Sequence, residues 1–201
     1  MEKRDVVLKL LGFFILAFGI FAMAYGVYRD KPDWIFWFCY IGMVLIGIGI
    51  LKKDGILIAS QLNIITVYLV FWDVDFLYRL FTKESLWGIT DYFFNNLIIQ
   101  SRIISLEHFF LLPLAFYALY RIKINSKEKK VHWKLSLIQL ILIYFIVKFL
   151  ASETYNVNCV FNSCVSFIPT NEFHILTWFA INLGSVLITA FVINKVKWFD
   201  A

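Results

Sequence analysis

The side chains able to do chemistry sit in a few short polar stretches within otherwise apolar sequence. Glu107 and His108 stand together in SLEHFFLLPL. An imidazole there is a candidate general base, metal ligand or proton relay. Adjacent helix positions diverge by about 100°, so the two side chains are expected on different faces. The bland alternative is a histidine hydrogen-bonded at a helix end, with Glu107 favourably near the helix N-terminus. Asp73, Asp75 and Arg79 lie in WDVDFLYRL. The i, i+4 spacing of Asp75 and Arg79 predicts an intrahelical ion pair. Asp73 is expected on another face, in a polar stripe with Thr66 and with Asn63 in reach. His174, next to Glu172, opens the last apolar run, and Glu153 closes the run before it. Histidines and carboxylates are zinc-ligand types. No HExxH or HxxxH spacing gathers them, however, and the third histidine, His132, is expected on the other side of the membrane. No metal and no cofactor is expected.

Other polar groups have structural readings. Lys148 near a run's end is expected to snorkel to the headgroups. Asn182, Ser185 and Thr189, with Gly184 nearby, form a stripe on the last run of the kind that joins helices. Walker A, GxGxxG and GxSxG patterns are absent, which argues against ATP-driven function in this chain.

These groups must be positioned by membrane helices. The chain is 61% apolar and only 16% charged, with a mean hydropathy of +0.77. It has too little polar surface to cover a soluble domain. The net charge of +5 fits contact with anionic lipid heads rather than nucleic acid. A span needs about 20 apolar residues. Six strong runs qualify: Val6–Tyr28, Trp34–Leu51, Gly55–Trp72 with an extension toward Leu80, Ile103–Tyr120, Leu135–Leu150 and Phe173–Ile193. The expected fold is an all-α polytopic helix bundle in one domain, residues 1–201. The first run reads as a retained span rather than a cleaved leader.

The segment Leu86–Gln100, LWGITDYFFNNLIIQ, is a marginal seventh candidate carrying Asp91, Asn95, Asn96 and Gln100. It is expected to lie on the surface, to dip in and return, or to cross as a short span. The loop Arg121–Lys134 holds six Lys or Arg between two spans, which puts it in the cytoplasm. The loop over 151–172 is then extracytoplasmic. Its Cys159 and Cys164 are expected to form a structural disulfide on that oxidising side, while Cys39 reads as a small buried apolar residue. Six spans put 13 of the 19 Lys and Arg inside, and seven put 12 inside, so charge alone barely separates them. The tryptophans (34, 37, 72, 87, 133, 178 and 198) all fall near span ends and read as interfacial belts.

DYFF, EHFFLLPLAFYAL, the basic loop, NVNC at Asn156–Cys159 and HILTWFAINLGSVLI together resemble the YwaF-like integral membrane family over about residues 55–195. That family is similar to the androgen-induced-gene-type membrane lipid hydrolases and related acyltransferases. The resemblance implies a seven-helix bundle and lipid acyl chemistry using a Thr or Cys nucleophile with a His. The nucleophile position falls near QLNIIT, where only Thr66 offers a hydroxyl, and His108 is shifted from the usual histidine position. The resulting expectation is a membrane-embedded lipid-processing enzyme with His108, Glu107 and Thr66 as catalytic residues. Membrane lipids are its expected partners. The alternatives are a small transporter or channel using Asp73, Asp75, Arg79 and His174, and a non-catalytic subunit joined to a membrane partner or a second copy.

Overall fold

The computed structural model describes residues 3–95, 98–165, 167–168 and 170–201. Asn96 lies outside the described residues, as do the side chains of Lys3 and Arg4. The described chain is all-α: α1 (Lys3–Tyr28), α2 (Phe38–Lys52), α3 (Gly55–Thr82), α4 (Asp91–Phe94), α5 (Ile99–Ser105), α6 (Glu107–Ile122), α7 (His132–Leu150) and α8 (His174–Lys195). Among the described residues, five passages are long and apolar enough to cross a membrane: α1, α3, α5 continued by α6, α7 with the turn before it, and α8. The second of the six expected runs is shorter. Pro32 opens a separate 3-10 turn over Pro32–Phe36, and Trp37 is extended at φ −58°, ψ 132°. Helix α2 therefore begins only at Phe38 and has 15 residues, about 22 Å at 1.5 Å each.

The outer faces are apolar, as lipid rather than water requires. Phe13, Phe21, Leu142, Phe145, Ile188 and Phe191 are all exposed. These are the features of a polytopic membrane protein. Close approach of α1 and α2 is set by glycine: a Cβ on Gly47 would stand 2.7 Å from Leu16 N, and one on Gly19 would stand 2.9 Å from Met43 Cβ. A polar seam joins α3, α7 and α8, as small and amide side chains do between membrane helices. Gln61 and Gln139 exchange hydrogen bonds of 2.8 and 3.0 Å. Asn63 Nδ2 donates to His132 Nδ1 at 2.8 Å and to Ser136 Oγ at 3.0 Å. His132 Nε2 meets Asn194 Oδ1 at 3.1 Å.

The passages alternate in direction. At one end Lys53 Nζ bonds Asp5 Oδ1 at 2.8 Å, Lys129 pairs with Asp200, and Ile124 N donates to Phe199 O at 2.8 Å. Both ends of the described chain thus lie at the end of the bundle that carries the 121–134 loop, where Gly55 backs onto Lys123 O. At the other end Ser152 N donates to Asp33 Oδ2 at 2.6 Å. Asn158 holds the start of α2 there: Phe38 N donates to its Oδ1 (2.9 Å) and its Nδ2 donates to Phe36 O (2.7 Å). Asn158 does this at φ 53°, a left-handed conformation that asparagine tolerates. The Cys159–Cys164 disulfide is formed, with Cα atoms 5.5 Å apart, and braces the same loop.

Among the described residues of 86–100 no helix is span-length. After α3 the chain turns irregularly and makes the single turn α4, and α5 starts at Ile99. The described residues 86–95 form a lid across the end of the bundle opposite the 121–134 loop.

Candidate functional site at the lidded end

The lid is held by two acidic anchors. Asp75 is fully buried and accepts from Trp87 N, Thr90 N and Thr90 Oγ1, each at 2.7 Å. Arg79 pairs with Asp91 and also donates to Asn95 Oδ1 at 3.3 Å. The expected intrahelical Asp75–Arg79 pair is therefore replaced by two pairings across to the lid. The physical reason is strength of demand. The turn at 87–90 presents three donors that need a buried acceptor, whereas an i, i+4 pair contributes only a few tenths of a kcal/mol.

Under the lid lies an aromatic stack that fixes His108. Its ring packs on Trp72 with centroids 4.4 Å apart and 23° between planes. Trp72 Nε1 donates to Tyr92 OH at 2.9 Å, and Trp72 stacks on Phe76 at 5.0 Å. Trp72 and Trp178 are thus buried packing residues rather than members of an interfacial belt. The helix itself makes the histidine's seat. At the α5–α6 junction Phe109 N bonds Leu106 O at 3.2 Å, one residue short of the usual i→i−4 partner. That leaves Ser105 O for His108 Nδ1, at 2.7 Å. A carbonyl only accepts, so Nδ1 carries the proton and the lone pair of the neutral ring is on Nε2.

Glu107 is fully buried, and neither carboxylate oxygen has a hydrogen-bond partner among the described atoms. Its Oε1 lies 3.3 Å from His108 Nδ1. Cys39 from α2 completes a cluster in which one ligand-type atom from each of Cys39, Glu107 and His108 lies within 4.8 Å of the others. Asp73 Oδ1 is also buried without a hydrogen-bond partner among the described residues, and Asp73 directly follows Trp72, whose ring stacks on His108. Asp73, Asp75 and Arg79 therefore belong to the same end as His108. No family model, no curated protein and no solved structure matches the chain.

Two expected members do not join. Thr66 donates its hydroxyl to Leu62 O at 2.6 Å, and it lies six residues before Trp72, about 9 Å along the helix. No hydrogen bond joins Thr66 and His108 among the described residues. His174 is buried, and its Nε2 binds Cys159 O at 2.9 Å, so it anchors the disulfide loop. Conversely, Cys39 was hidden in the sequence among apolar neighbours, because its partners come from a helix nearly 70 positions away.

Proposed function

We propose that the protein is a membrane-embedded enzyme that processes an acyl lipid at its lidded end, with His108 activating the attacking water. The observation that carries this reading is the seated His108 ring: Nδ1 is held by Ser105 O, the face is stacked on Trp72, and Nε2 has no partner among the described residues. A base held in one tautomer and orientation is what proton abstraction from water needs. The lid's aromatic residues and the apolar outer faces suit an amphiphilic substrate arriving from the bilayer. The resemblance to the YwaF-like membrane family points to the same chemistry, with water rather than Thr66 as nucleophile because the Thr66 hydroxyl is engaged with its own helix. The 13 Lys and Arg at the opposite end favour a cytoplasmic location for that end, which makes the site extracytoplasmic.

A transport pathway has less support. Asp75, Arg79 and His174 are engaged in holding the lid and the disulfide loop. Purified protein in liposomes of mixed phospholipid and diacylglycerol tests the enzymatic reading. Release of fatty acid or acyl exchange is expected, and His108→Ala is expected to slow it at least about 100-fold. Equal rates for the two proteins, or no turnover by either, would overturn it.

A further inference from the structure

We propose that Cys39, Glu107 and His108 bind a divalent transition metal, zinc by ligand type, between α2 and α6. A thiol, a carboxylate and an imidazole are the three ligand classes of protein zinc sites, and three protein ligands leave a fourth position for water. Their candidate ligand atoms lie within 4.8 Å of one another. Tetrahedral zinc sets ligand atoms about 3.5 Å apart, so the three must draw together by about 1 Å.

The independent observation is electrostatic. Glu107 is fully buried with neither oxygen hydrogen-bonded among the described residues, and His108 Nδ1 stands 3.3 Å from its Oε1; half-buried Asp73 has one oxygen without a hydrogen bond. Among the described residues neither carboxylate has a Lys or Arg partner, since Arg79 is held by Asp91. A buried uncompensated carboxylate costs several kcal/mol. The Glu107 carboxylate and the Cys39 thiol therefore face one imidazole, and a divalent cation balances the carboxylate and the thiolate. Because His108 Nδ1 donates to Ser105 O, Nε2 would be the ligating nitrogen, with the backbone carbonyl on the second N–H as metal-bound histidines commonly have it. Cys39 loses its thiol proton on binding.

The metal's chemistry rests on the lipid-enzyme reading, although the binding site stands on its own geometry. There His108 would be a metal ligand, so the metal, in place of the imidazole, would activate the attacking water. That water would give one proton to solvent and add to the ester carbon, the C–O bond would break, and the alcohol would leave carrying a proton from solvent.

Detergent-purified full chain, stripped with chelator and titrated with Zn2+ and Co2+, tests the site. About one equivalent of zinc is expected, together with a thiolate-to-Co2+ charge-transfer band. Cys39→Ser should abolish that band, and Glu107→Gln should weaken zinc by more than about 100-fold, beyond the loss caused by removing an outer-shell partner. Unaltered protein supplies a second readout. With Cys159 and Cys164 in a disulfide, Cys39 is the free thiol, and Zn2+ should protect it from N-ethylmaleimide. Sub-stoichiometric zinc, zinc retained by both variants, or labelling unchanged by Zn2+ would overturn the proposal. Lipid turnover that depends on His108 in metal-free protein would remove the metal and keep the enzyme. Stoichiometric zinc without turnover would do the reverse.

Discussion

Glu107 is the residue least explained by packing. It sits fully buried with neither oxygen hydrogen-bonded among the described residues and with His108 Nδ1 close by, at 3.3 Å, an arrangement that folding alone disfavours and a functional site tolerates. Replacing it with glutamine removes the buried charge at nearly constant shape. Chelator-treated Glu107→Gln is therefore expected to be more stable than the parent by about 1 kcal/mol or more, read as a raised unfolding temperature in detergent. A lower temperature would mean that the carboxylate is satisfied by groups of its own protein. The sequence made Glu107 and His108 conspicuous because ionisable groups at membrane depth are rare. It did not separate them from the bland helix-end reading, because the freed Ser105 carbonyl depends on a backbone irregularity. Cys39 was invisible as a partner, since a cysteine among Phe, Tyr and Ile has the composition of a core residue.

At the scale of elements, the lid depends on Asp75. Asp75→Ala strands three lid donors, so the lid should lose about 3 kcal/mol of local stability. It should then open to limited proteolysis near Lys83 while the bundle remains folded. Protection equal to the parent's would contradict the anchoring role. Asn158→Ala leaves Phe38 N without its acceptor and should cost about 1–3 kcal/mol in thermal unfolding. Gly47→Leu would drive a side chain into the Leu16 backbone and should cost more than about 3 kcal/mol. The long helices were legible as apolar runs, because in lipid such runs have few alternatives to helix. The lid was not. Its Asp91 and Asn95 are solvated or membrane-facing in equal measure on paper, and Asp75 matched Arg79 by spacing while its true donors lay 12 and 15 positions away.

For the whole molecule, what decides the site is which elements share an end of the bundle. With the passages alternating, the basic loop and both ends of the described chain share one end, and Asp73, Asp75, Arg79 and His108 share the other. Charge counting could not reach this, since six and seven spans gave nearly equal totals. The helix pairings reach it: Lys53 meets Asp5 at one end, and Trp72 meets His108 at the other. The central claim is one site on the face opposite the basic loop, and single-cysteine labelling tests it most directly. Lys83→Cys and Lys127→Cys, each made in a Cys39→Ala background, are treated on intact cells and on lysed membranes with a membrane-impermeant maleimide. The account predicts that Lys83→Cys labels in intact cells and Lys127→Cys only after lysis. Labelling of both from the same side would contradict it.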